Sequence, residues 1–293
     1  MSGKTIVAPA SAPGRGGVSV IRMSGANSRE IAENMCGSLA DSWKFKKCNI
    51  KSLDGTVLDN GLVVFFKSPH SYTGEDVVEF HCHGNPTIVN LIVEDAVKRG
   101  AVIAEPGEFT KNAFLNDKID LAQAESVADL INAQSKSAVI AANSSLSGNF
   151  SSSVNLIIEG LVRTRVVVEA HIDFPEEEIG SELMDNTSHE LSGFSKDIDR
   201  LLAEAVKSMK LRESYRVCIV GLPNAGKSTL LNTIAKESLA ITSGTPGTTR
   251  DLIRAEIDLG GVVVEFIDTA GIRENPDNDI EREGVQRSLL SLI

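Results

Sequence analysis

Residues 221–229 read Gly-Leu-Pro-Asn-Ala-Gly-Lys-Ser-Thr, a GxxxxGK[ST] spacing whose residue types suit one task. Its glycines let backbone amides curl round an anion, Lys227 reaches the outer phosphates of a nucleotide, and Ser228 offers a hydroxyl to Mg²⁺. An apolar run (Val217, Cys218, Ile219, Val220) precedes the loop and a helical pattern follows it. That order adds the positive end of a helix to the phosphate cradle. This is a P-loop. About forty residues later Asp268-Thr269-Ala270-Gly271 stands at the end of an apolar run over 262–267. An aspartate there can hold a Mg²⁺-bound water while the Gly271 amide faces a terminal phosphate. Between the two lies Gly247-Thr248-Thr249-Arg250-Asp251, where a threonine hydroxyl can complete the Mg²⁺ shell and order its loop only while triphosphate is bound.

Ile272 follows Gly271, where many switch GTPases carry a glutamine that orients the attacking water. That task must pass to another group, and Glu274, Glu281 and Glu283 are the carboxylates within reach along the chain. Arg250 and Arg273 are close in sequence but neither is identifiable as an arginine finger. A monovalent cation beside Asn224 would supply the same positive charge. His81-Cys82-His83 places two imidazoles on one face of a strand, yet no further ligand cluster stands nearby in sequence, so zinc is the weaker reading.

These groups need elements to position them. In the first hundred residues, short strands alternate with turns. They run over 5–8 and 18–22 around the loop 13–17, then 50–53 and 56–58 around the turn Asp54-Gly55, then 61–67 and 77–82. A helix is expected over 27–35. A second begins at Pro86 with Ile88, Val89, Ile92, Val93, Ala96 and Val97 on one face, before a strand over 101–104. From about residue 120 the period becomes helical, interrupted over 149–153, resumed over 156–172, closed by Pro175 and Glu176-Glu177-Glu178, and followed by a third amphipathic segment from Leu191 to Met209. The expected fold is therefore an α+β N-terminal domain over 1–118, a helical domain over 119–213, and part of a P-loop α/β domain over 214–293.

Composition bounds the rest. The chain has 293 residues and a net charge of −11, so any RNA contact would need a local basic patch. Four scattered cysteines without a CxxC pair fit reduced thiols in the cytoplasm better than a disulfide framework. No run approaches the ~20 apolar residues of a membrane span.

Taken with Ile172-Asp173-Phe174-Pro175-Glu176-Glu177-Glu178, Ser71-Tyr72-Thr73-Gly74-Glu75-Asp76-Val77-Val78-Glu79, and Pro106-Gly107-Glu108-Phe109-Thr110 running on to Leu115-Asn116-Asp117-Lys118, these motifs resemble the MnmE (TrmE) family of tRNA modification GTPases along essentially the whole chain. The resemblance implies a homodimeric, potassium-dependent GTP hydrolase that works with MnmG, in a heterotetramer, on the wobble uridine of tRNA to form 5-carboxymethylaminomethyluridine. It implies that GTP is held by Asn224, Ala225, Gly226, Lys227, Ser228 and Thr229, by Ser243, Gly244, Thr245, Gly247, Thr248 and Thr249, and by Asp268, Thr269, Ala270 and Gly271. Within that set it assigns Mg²⁺ to Ser228 and Thr249, and K⁺ to Asn224, Ser243, Thr245 and Thr248. It also implies that Glu281 is the catalytic residue that positions water. Arg22, Glu79 and Lys118 match the positions that bind 5-formyltetrahydrofolate in the N-terminal domain, two cations suiting the glutamate tail and one carboxylate the pterin donors.

The guanine-reading Asn-Lys-x-Asp motif of such GTPases does not occur before Ile293. The fragment alone is therefore expected to expose the 217–220 strand as an apolar edge, to be poorly stable, and to hydrolyse GTP weakly or not at all. Two alternatives accompany this reading: an Era-like ribosome-assembly switch, which would not need the 71–79 and 106–118 stretches, and an inactive fragment that keeps folate binding.

Overall fold

The computed structural model describes residues 3–173, 181–212, 215–219, 226, 229–230, 233–234, 240–241, 254–258 and 263–268. Two compact units divide the chain, residues 1–124 and 125–293.

The first unit is built on six strands: β1 (Ile6–Pro9), β2 (Gly16–Ser24), β3 (Phe45–Lys51), β4 (Val57–Phe66), β5 (Val77–Gly84) and β6 (Val102–Ile103). They lie in the order β3-β4-β5-β2-β1-β6, antiparallel throughout except for the parallel β1–β6 pair. Helices α1 (Ser28–Cys36) and α2 (Pro86–Lys98) present Ile31, Ala32, Met35, Val89, Ile92, Val93 and Ala96 to one core with Val7, Ile21, Met23, Val63, Phe65, Val78 and Phe80 of the sheet. Alternation along the strands is what makes this possible: Val63 and Phe65 enter the core while their neighbours face the other way. Helix α2 begins as its sequence predicts. The Asn85 side chain accepts from the Thr87 N–H at 2.8 Å and Pro86 opens the first turn, where its missing N–H costs nothing. Near its other end, buried Asp95 accepts from Arg99 Nε at 2.6 Å and from the Leu53 N–H at 2.7 Å, pinning the β3–β4 hairpin to the helix.

Three details differ from expectation. The runs over 56–58 and 61–67 form one strand, β4, because Gly61 lets its backbone continue past β5; a Cβ there would stand 2.4 Å from the His81 carbonyl oxygen. A further helix, α3 (Glu108–Leu115), follows Gly107, whose φ of +78° favours glycine. The breaks among the helices also move. Helices α4 (Leu121–Asn132), α5 (Lys136–Leu146), α6 (Asn149–Asp173) and α7 (Ser181–Arg212) are separated at residues 133–135 and 147–148, while 149–153 is helical. The Ser135 hydroxyl caps α5 through the Ala138 N–H, and Gly148 turns at φ +82°. Ser153 then bonds back to the Asn149 carbonyl, so polar residues that read as a loop are accommodated inside α6. The acidic stretch 174–180 lies outside the described residues.

In the second unit α6 and α7 pack closely at Gly160, where an added Cβ would stand 2.4 Å from Phe194 Cζ. One turn along, Thr164 donates to Glu190 Oε2 at 3.0 Å. The same unit holds a sheet of β7 (Tyr215–Ile219), β8 (Ala240–Ile241), β9 (Arg254–Asp258) and β10 (Val263–Asp268) in the order β7-β10-β9-β8. Strand β7 stands at one end of that order, where the sequence places an edge, and Val217 is exposed. Among the described residues, no helix is long and apolar enough to cross a membrane, and Cys36, Cys48 and Cys82 are free thiols.

Candidate functional site

Of the nucleotide-site residues, Gly226, Thr229 and Asp268 lie within the described chain; Asn224, Ala225, Lys227, Ser228, Ser243, Gly244, Thr245, Gly247, Thr248, Thr249, Thr269, Ala270, Gly271 and Glu281 lie outside it. What is described is the scaffold of the site. Strands β7 and β10 run parallel, with Ile219 paired to Asp268. The P-loop leaves β7 directly after this pair and the Asp268 motif leaves β10 at it. The two strands therefore end side by side, at the carboxyl side where open α/β sheets receive ligands. Gly226 adopts φ +86°, and the Leu230 N–H bonds to its carbonyl at 2.9 Å as a helical turn begins. A left-handed glycine at the mouth of a helix is the geometry that turns amides toward a phosphate.

The first unit carries a second constellation. Arg22 of β2 and Glu79 of β5 are cross-strand partners, which places both side chains on the sheet face away from α1 and α2. Arg22 Nε donates to Glu79 Oε1 at 2.8 Å and its Nη2 lies 2.8 Å from the same oxygen. Glu79 Oε2 faces His81 Nε2 at 3.4 Å. The guanidinium also lies over two rings, 4.9 Å from the Tyr72 centroid and 5.7 Å from that of Phe109, so aromatic faces add to the attraction. Tyr72 and Phe109 come from segments that are themselves joined, through a 2.9 Å hydrogen bond between the Tyr72 and Thr110 hydroxyls.

Lys118 is placed differently. Its Nζ donates to the Pro69 carbonyl at 3.0 Å, while Asn116 Nδ2 donates to the Thr73 carbonyl at 2.8 Å. Together they clip the 69–74 loop, and Gly74 at φ +78° makes room for the Lys118 and Asn116 side chains. Below the loop, the buried Ser24 and Thr73 hydroxyls lie 2.7 Å apart and Ser24 donates to Glu75 Oε2 at 2.7 Å. Arg22 and Glu79 thus meet directly, whereas Lys118 is oriented by the loop that carries Tyr72.

By count, the pairing leaves the guanidinium three N–H groups, and Glu79 one oxygen shared with His81. An arginine, a carboxylate and the two rings that flank the guanidinium at one sheet face can receive a flat heterocycle that bears an acid group. Sequence reasoning singled out neither Tyr72 nor Phe109 as a ring partner of Arg22. Both are aromatic residues inside the 71–79 and 106–118 stretches, and that was the available signal.

His81 and His83 share a strand face but look to different carboxylates, His83 Nδ1 lying 2.8 Å from Asp59 Oδ1. Among the described residues no group of three or more His, Cys, Asp or Glu side chains is arranged to hold a metal. Asp59 is buried, which raises its pKa, but hydrogen bonds from the His83 N–H and ring and from the Asn60 N–H hold its carboxyl below the usual carboxylate range.

A P-loop strand beside an Asp-bearing parallel strand, preceded in sequence by helices and by a mixed-sheet unit, defines a P-loop protein with an N-terminal extension. Residues 5–118 match the family model described as GTP-binding protein TrmE N-terminus, and residues 121–289 match that of the MnmE helical domain. Similar curated proteins include the tRNA modification GTPase MnmE of Neisseria gonorrhoeae (strain ATCC 700825 / FA 1090), 46% identical over 97% of this chain and 63% of its own length. That of Neisseria meningitidis serogroup C (strain FAM18) is 47% identical over the same shares, and that of Nitrosomonas eutropha 43% identical over 98% of this chain and 64% of its own. The chain belongs to the MnmE family of tRNA modification GTPases. It spans a little under two thirds of the length of the curated relatives it matches.

Proposed function

We propose that this chain serves in a potassium-dependent GTP hydrolase that acts with MnmG, as a homodimer within a larger complex, to form 5-carboxymethylaminomethyluridine at the wobble position of tRNA. The observation that supports the GTPase part is the parallel pairing of Ile219 with Asp268, the strand ends from which the P-loop and the Asp-Thr-Ala-Gly motif continue in sequence. Lys227 and the loop amides bind the phosphates, Ser228 and Thr249 would hold Mg²⁺, and Asn224, Ser243, Thr245 and Thr248 would hold K⁺. These are oxygen donors, the class that both hard cations prefer. Bound there, the cations supply positive charge beside the phosphates in place of an arginine finger. Glu281 orients water, the task that Ile272 cannot perform.

The N-terminal unit takes a tetrahydrofolate derivative. Glu79 accepts from the pterin, and Arg22 and Lys118 attract the glutamate tail. The clustering of Arg22, Glu79, Tyr72 and Phe109 supports this reading, since a pterin can lie against the rings while its N–H groups reach the carboxylate.

The test is GTP turnover by the whole protein in KCl and in NaCl, with Asn224→Ala alongside. Turnover should be much faster in KCl, and Asn224→Ala should remove most of that difference. Equal rates in the two salts would refute potassium dependence. Titration with 5-formyltetrahydrofolate should saturate for the native sequence and weaken for Arg22→Ala; absence of saturable binding would remove the folate part.

A further inference from the structure

The chain carries 40 acidic against 29 basic residues, yet residues 42–53 hold four lysines and no acid: Lys44, Lys46, Lys47 and Lys51. This segment is the edge strand β3 and its approach, at one end of the sheet. Lysines on an edge are a common guard against strand-to-strand aggregation. Two aromatic residues among them do not fit that purpose. Trp43 is 63% exposed and Phe45 57% exposed, which would promote the association that the lysines oppose.

Trp43 also sits at φ +69°, a region that bulky residues avoid. Its N–H donates to the Phe65 carbonyl at 2.8 Å and its ring meets Phe66 edge-on at 4.7 Å, so an unfavourable backbone holds the indole at the surface. Phe45 meets His81 edge-on at 5.2 Å and shares its strand face with exposed Lys47 and Lys51. Lys44 is paired with Asp41 and Lys46 bonds to Ser38, while Lys47 and Lys51 carry no ion pair among the described residues.

The ladders place this edge in relation to the first unit's candidate site. Phe45 pairs with Val64, Val64 with Glu79 and Glu79 with Arg22, one row across four strands. Three strand spacings separate Phe45 from Arg22, about 14 Å on the same sheet face.

We propose that Trp43, Phe45, Lys47 and Lys51 form a contact surface for unpaired RNA nucleotides, bases stacking on the two rings and phosphates meeting the two lysines; the identification of the RNA as tRNA rests on the function proposed above. Exposed rings with flanking cations recognise single strands in a sequence-tolerant way. A base held here lies within one nucleotide's reach or two of Arg22 and Glu79.

Trp43 is the only tryptophan of the chain, so its fluorescence reports this surface directly. The full chain is titrated with a stem–loop RNA bearing an unpaired loop, and with a blunt duplex of equal charge, while anisotropy of labelled RNA follows binding anywhere on the protein. The stem–loop should quench Trp43 saturably and the duplex far less. Phe45→Ala should weaken binding about tenfold. The double variant Lys47→Ala/Lys51→Ala, both solvent-facing and so without effect on folding, should lower the slope of log affinity against log salt by about 1.4.

Stem–loop binding seen by anisotropy but silent at Trp43 and unchanged in both variants overturns the surface and leaves the proposed function standing. A Trp43 signal that follows protein concentration without RNA assigns the patch to a second copy of the chain and overturns the proposal. No RNA binding by either readout overturns the surface and removes support for the tRNA reading as well.

Discussion

Replacing Glu79 by glutamine isolates the charge that Arg22 meets on the first unit's sheet. In the native protein both guanidinium contacts fall on one oxygen at 2.8 Å, and the side chains are 25% and 15% exposed. Two unit charges about 4 Å apart attract by roughly 4 kcal/mol at an effective dielectric of about 20. Desolvation of both partners opposes this, and hydrogen bonds to charged groups retain about 1.5–3 kcal/mol net. Glu79→Gln keeps an acceptor and the packing, and the guanidinium keeps its place over Tyr72 and Phe109, so the loss should be about 2 kcal/mol. A double-mutant cycle with Arg22→Gln should give a coupling of about 1.5 kcal/mol. Urea unfolding followed by Trp43 reads this unit specifically, and the midpoint should fall by roughly 1 M. A coupling below about 0.3 kcal/mol would put the pair among ordinary surface ion pairs and refute the reasoning. The same variant separates two ligand roles. If Glu79 accepts from the pterin, 5-formyltetrahydrofolate binding should drop at least tenfold even though Arg22 is no longer neutralised; tighter binding would mean that Glu79 only competes with the ligand's acid groups for Arg22.

Gly160→Ala should destabilise the α6–α7 pair by about 1 kcal/mol, since overpacking against Phe194 outweighs the gain in helix propensity; in a Phe194→Leu background the sign should reverse, as thermal melts would read. Asp59 has its carboxyl held low by His83 and Asn60, so its contribution is present above the unfolded carboxylate range near pH 4 and lost as pH falls through the lower folded value. Asp59→Asn should therefore flatten the acid limb of stability against pH, and an unchanged limb would contradict the pairing. The Cys82 thiol is pushed up to about 11, chiefly by burial and further by the Asp59 charge. At pH 8 about a thousandth of it is thiolate, so an aromatic disulfide reagent should reach it only as fast as the unit unfolds.

Local chemistry makes much of the fold legible in the sequence. Pro86 announces α2, Asp54-Gly55 the β3–β4 hairpin, and the P-loop spacing the helical turn that begins at Gly226, because each is decided by a few adjacent residues. Helix α3 was missed because its apolar positions, Phe109, Ala113, Phe114 and Leu115, are too few to show a period, and its start depends on Gly107 turning left-handed. Gly61 and the serines of 151–153 misled for a related reason: each carries a local preference that a neighbouring strand or a back-bonded hydroxyl overrides. The candidate site depends more heavily on distance in sequence. Arg22 and Glu79 could be named singly, but their contact is a matter of register between strands 57 positions apart. Nothing local encodes it.

Strand β1 pairs on one side with β2 and on the other with Val102 and Ile103 of β6, nearly a hundred positions later. During synthesis at ~5–20 residues per second, its outer edge waits roughly 5–20 s for that partner. Until then Ile6 and Val7, both fully buried in the finished unit, belong to a strand open to any other extended chain. Ribosome-bound chains arrested before residue 100 should accordingly be captured by a holdase, and chains arrested well beyond 103 should escape it. The last short strand thus acts as the latch on the first, and sets when this unit ceases to depend on its surroundings.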